Sequence, residues 1–135
     1  MKRIKEKAIA NHKKGYNCAQ SVACLYAEEL GFDERDVFRM TEAFGLGMGV
    51  MDTCGAVSAM AVVAGMKNSD GNSENPTTKS STYKLIRAMF EEFKKKNQST
   101  DCRELKGVDT KKPLRSCNDC IEDSVEIIEK FLLKR

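Results

Sequence analysis

Along the chain, apolar residues recur at helical rather than strand spacing, and turn residues cut the pattern into segments. Residues 2–14 set Ile4, Ala8, Ile9 and Ala10 among charges, which predicts an amphipathic helix stopped at Gly15. From Asn17 the run NCAQSVACLYAEELG places Val22, Leu25, Tyr26 and Leu30 about one turn apart, with Gly31 as a left-handed cap. Asp33-Glu34-Arg35-Asp36 opens a third stretch, in which Val37, Phe38, Met40, Thr41 and Phe44 keep helical spacing up to Gly45.

Then Gly45, Gly47 and Gly49 alternate with Leu46, Met48 and Val50, a passage where backbone can approach a neighbour closely and where a tight, irregular turn is expected. Residues 54–66, CGAVSAMAVVAGM, carry no charge and are mostly small, so this helix should be buried on most sides. The polar stretch 67–76 reads as an exposed loop. A long helix follows over 78–97, with Tyr83, Ile86, Met89, Phe90 and Phe93 as its apolar stripe. DCRELKG at 101–107 forms a short helical turn, and 119–134 forms the last helix through Ile121, Val125, Ile128, Phe131 and Leu132. The pattern therefore predicts an all-α fold: a single domain over 1–135, a bundle of about five main helices plus a short helical turn, with cysteines at helix N-termini.

Length agrees with that expectation, because 135 residues suffice for one core without disulfide support. Net charge is only +3, and the signs are mixed apart from Lys94-Lys95-Lys96 and Lys111-Lys112, so no nucleic-acid surface is expected. No segment approaches the roughly 20 apolar residues of a membrane span. The N-terminal MKRIKEKAIANHKK is too charged for a signal-peptide core, which gives a cytoplasmic expectation.

Six cysteines change the picture. In a cytoplasmic chain they point to metal binding or catalysis before structural disulfides. Four directly follow a residue that commonly caps helices: Asn17-Cys18, Thr53-Cys54, Asp101-Cys102 and Asp119-Cys120. Three of these have Gln20, Glu104 or Glu122 three residues after the cap, close to a capping box. A thiol in a first helical turn meets free amide N–H groups and the positive end of the macrodipole, which favour a thiolate. Low pKa values are therefore expected at all four, and a shared site requires in addition that their helix starts converge.

Cys24 lies six residues beyond Cys18, roughly 240° around the helix, and is expected in the core. Cys117 makes a C-x-x-C with Cys120, a spacing that serves redox or metal chemistry and makes Cys117 a candidate resolving thiol. The single histidine, His12, sits on a lysine-rich helix expected to be exposed, which gives little support to a Cys-His site. Walker, dinucleotide-binding and H-E-x-x-H motifs are absent.

GYNCAQSV around Cys18, CGAVSAM from Cys54, CRELKG at Cys102 and CIEDSVEII from Cys120 together resemble the C-GCAxxG-C-C family, whose description is redox activity. The likeness spans nearly the whole chain, with Ala59 standing where the family's central motif ends in glycine. It implies redox work by Cys18, Cys54, Cys102 and Cys120, with an unidentified redox partner. The arrangement is also similar to an iron–sulfur-bearing region of split-Soret cytochromes, although no C-x-x-C-H is present.

Three functions follow for these residues. The same four cysteines could exchange thiols and disulfides, or could ligate a [2Fe–2S] cluster or zinc, with Gly55 beside a bound group. They could instead be small hydrophobes in a structural or interaction domain. A site completed across a homodimer is compatible with each.

Overall fold

The uncharged segment after Cys54 sets the architecture, because a helix apolar on nearly every side must be enclosed by its neighbours. A computed structural model covers residues 1–135 and has no strand. Its helices are α1 (Lys2–Lys13), α2 (Cys18–Ala27), α3 (Glu34–Thr41), α4 (Gly55–Asn68), α5 (Lys79–Asn97), α6 (Cys102–Lys106) and α7 (Cys117–Ile128). That is the expected all-α arrangement: five longer helices, α1, α2, α4, α5 and α7, with the short α3 and the helical turn α6 beside them.

Helix α4 is the central one and packs against α2, α5 and α7. Gly55, Ala56, Val57, Ala59, Met60, Val63 and Ala64 are buried along it, and its small side chains let α2 come closest. Helices α1 and α3 flank α2 on the outside. Tyr26, Phe93, Met60, Met89, Ile121 and Ile128 are the largest fully enclosed apolar or aromatic side chains, each stabilising the fold by about 1.5–3 kcal/mol relative to exposure. Two stripe members depart from expectation: Tyr83 and Met40 are 52% and 62% exposed, since α5 and α3 are covered along one side only.

After α7 the chain continues as a wider turn through Leu133, which turns the Glu129 side chain into the core. That carboxylate accepts a hydrogen bond from Tyr26 Oη at 2.8 Å and one from Arg135 Nε at 2.8 Å. A buried carboxylate is tolerated only when paired in this way. No helix is long and apolar enough to cross a membrane.

The contact that positions the functional end is at Gly55. A Cβ there would lie 3.1 Å from Phe44 O, 3.2 Å from the Ala19 backbone nitrogen and 3.3 Å from Cys18 Cβ. Gly55→Ala must therefore push the starts of α2 and α4 apart. The expected cost is about 1–3 kcal/mol, read as a lower urea midpoint at unchanged m-value; wild-type stability in this variant would show that the approach is not tight.

Candidate functional site

Four helices begin beside one cavity of about 260 Å³, and five of the six cysteines line it: Cys18, Cys54, Cys102, Cys117 and Cys120. Local sequence chemistry explains each helix start. Asn17 caps α2 in a complete capping box, accepting from Gln20 N at 2.9 Å while Gln20 Oε1 accepts from Asn17 N at 3.0 Å. Asp101 caps α6 by accepting from the N–H groups of Arg103 and Glu104. Its expected box partner, Glu104, instead accepts from Ser99 Oγ at 2.6 Å, and Ser99 Oγ accepts from Asp101 N at 3.0 Å.

Two starts differ from those read in the sequence. Cys54 itself occupies the cap position of α4, with Thr53 one residue outside. Thr53 is engaged elsewhere, in an antiparallel bridge with Asp101. Around that bridge Cys54 N donates to Thr100 O at 2.7 Å and Cys102 N donates to Asp52 O at 2.6 Å, which stitches the two cysteine segments side by side. Helix α7 begins at Cys117, capped by Ser116, whose Oγ accepts from Asp119 N at 3.0 Å. Cys120 thus falls at the end of the first turn. Ser116 wins over Asp119 as cap because it starts the helix three residues earlier and brings Asp119 into the first turn, where its charge favours the macrodipole.

Cys24 is buried away from the cavity, with its sulfur 3.9 Å from Glu34 O. Burial, with the Glu34 charge beside it, pushes its thiol up to about 11, as befits a core residue. Gly55 lines the cavity, and Ala59 is fully buried one turn further along α4. Sequence reasoning missed the basic groups. Lys106 places Nζ 3.5 Å from Cys117 Sγ. His12, expected on an exposed face, turns into the cavity lining, with Nδ1 2.9 Å from Tyr16 O. Arg115 also lines the cavity and grips the buried Asp123 with two hydrogen bonds of 3.0 and 3.2 Å. The only signal for Lys106 was its place four residues after Cys102, on the same helical face.

All six cysteines are free thiols. They do not share the uniformly lowered pKa that their helix starts suggested. Cys117 is pulled down to about 5, chiefly by a hydrogen bond from Cys18 and further by Lys106 and His12, against the opposing effect of burial. Donating that bond holds the Cys18 proton firmly and pushes its thiol far up, with burial adding to the effect. The second pair repeats the relationship. Cys120 donates to Cys54 and is pushed far up, while Cys54 is lowered by that bond and by the N–H groups of Ala56 and Val57. Cys102 is raised by burial, which outweighs the opposing charge of Lys106. In three of the five cavity cysteines, burial and hydrogen-bond donation thus outweigh the roughly 0.3–1 kcal/mol of a helix terminus.

Cysteine sulfur is a suitable donor for zinc or for an iron–sulfur cluster. In this arrangement, however, no three of the His, Cys, Asp and Glu side chains gather closely enough to hold a metal ion. The geometry is that of two thiol pairs with a fifth thiol beside them.

A family model described as "Putative redox-active protein (C_GCAxxG_C_C)" matches residues 16–131. No curated protein and no solved structure matches the chain.

Alkylation of Cys117 by iodoacetamide, followed by peptide mass spectrometry, is expected to be half-maximal near pH 5. Protonation removes the nucleophile below that pH, so the rate falls on the acid side and is flat from pH 6 to 8. Lys106→Gln is expected to move the midpoint up by roughly one pH unit; an unmoved midpoint would remove Lys106 from the account.

Proposed function

This chain belongs to the C_GCAxxG_C_C family of redox-active proteins, and we propose that its activity is thiol–disulfide exchange, with Cys117 as nucleophile and Cys18 as resolving thiol. The observation that carries this reading is the Cys18, Cys117 and Lys106 arrangement, in which one sulfur is held as a thiolate by a neighbouring thiol and an ammonium group at 3.5 Å. Nucleophilic attack needs the thiolate, and resolution needs a second thiol within reach of the first.

In the forward step the Cys117 thiolate attacks one sulfur of a partner disulfide and expels the other as a thiolate, leaving a mixed disulfide on Cys117. Cys18 then gives its proton to the departing group and attacks the Cys117 sulfur. The products are a Cys18–Cys117 disulfide and a fully reduced partner, two electrons having passed from the protein. Cys54 and Cys120 have the same donor–acceptor relationship deeper in the cavity and serve as a second dithiol in the same chemistry, with Cys102 beside them. The roles differ from those the sequence suggested, where Cys117 was the candidate resolving thiol.

Oxidation of the reduced protein is expected to give a Cys18–Cys117 linkage in peptide maps. Cys18→Ser, which keeps a hydrogen-bond donor beside Cys117, should accumulate the mixed disulfide at Cys117. The anaerobically purified protein should be colourless. Visible absorption accompanied by stoichiometric iron and acid-labile sulfide would overturn the exchange reading in favour of a cluster.

A further inference from the structure

Resting on that exchange reading, we infer that the disulfide taken by the cavity is small and anionic, a low-molecular-weight disulfide whose thiol halves carry carboxylates. Size is the first argument. At about 260 Å³ the cavity lies below the roughly 300–1,000 Å³ of sites for drug-sized ligands, so it admits one thiol moiety and not a folded surface. Leu46 and Leu105 form an apolar wall suited to the methylene stem of such a group.

Charge is the second argument. His12, Lys106 and Arg115 line the cavity, and no carboxylate does. Arg115 is already satisfied by Asp123. Lys106 is not paired with any carboxylate, and the bond its ammonium group makes is to the Cys117 sulfur. The exchange reaction breaks that match, because attack transfers the negative charge from Cys117 to the departing half-molecule. The mixed disulfide therefore leaves the Lys106 ammonium uncompensated in a cavity lined by the first turns of α2, α4 and α7, whose helix dipoles add partial positive charge. A carboxylate on the attached half restores the balance, whereas an ammonium would add a second cation to the same place.

The test uses the reduced full-length chain and three disulfides of similar size: 3,3′-dithiodipropionate, bis(2-hydroxyethyl) disulfide and cystamine. Oxidation of Cys117 is followed by mass, and each rate is divided by that of free cysteine with the same disulfide, which corrects for the leaving thiol's own pKa. The normalised rate is expected to be at least about tenfold higher for the dicarboxylate than for the diamine at low salt. That preference should shrink in high salt, fall to within about twofold in Lys106→Gln and persist in Lys106→Arg. Equal normalised rates for the three disulfides would overturn this inference and leave the exchange reading intact. Failure to oxidise with any of them would remove the exchange reading, and the inference with it.

Discussion

The arrangement of thiols depends on how closely the starts of α2 and α4 approach one another. The absence of a side chain at residue 55 favours that closeness: a Cβ would crowd Phe44 O, the Ala19 nitrogen and Cys18 Cβ at 3.1–3.3 Å. Cys18 and Cys54 are thereby held as two walls of one cavity, although they stand 36 positions apart in the chain. The remaining walls follow from that pair. The bridge between Thr53 and Asp101 draws Cys102 beside Cys54, and the packing of α7 on α4 and α2 brings in Cys117 and Cys120.

The glycine-rich passage before α4 supports the same junction. Gly47 lets the backbone fold back on Asp52, where a Cβ would lie 2.5 Å from the Asp52 nitrogen. The carbonyl of Asp52 is then free to receive the N–H of Cys102 at 2.6 Å. Leu46, Met48 and Met51 hold positive φ angles of 53°, 60° and 60° in this passage, conformations that cost non-glycine residues of order 1–3 kcal/mol each. Such strain persists only where the surroundings over-determine it, and here it borders the cavity directly through Leu46.

Electrostatics within the cavity divide like residues into unlike roles. Five thiols share one environment, yet two are held toward the thiolate while three keep their protons. At Cys102 burial decides; in the two pairs the division follows from the interaction between the facing thiols. A thiol that donates is locked in its neutral form, and the sulfur that accepts is relieved of its burial penalty. Lys106 then biases the pair it touches, Cys18 and Cys117, which is also the less buried of the two.

Much of this molecule was legible in its sequence. Helical spacing of apolar residues, glycine stops and Asn or Asp caps specified the helices to within a few residues, because these are local properties of backbone and side chain. The buried α4, the core position of Cys24 and the placing of cysteines at helix starts followed from the same local rules. Tertiary structure decided what those rules do not reach. It chose Ser116 over Asp119 as a cap, turned His12 inward, set Lys106 against Cys117 and set four of the five cavity cysteines in two pairs. Those outcomes depend on contacts between residues distant in the chain and on shared burial, and a thiol's pKa is set by the group that faces it rather than by the residue that precedes it.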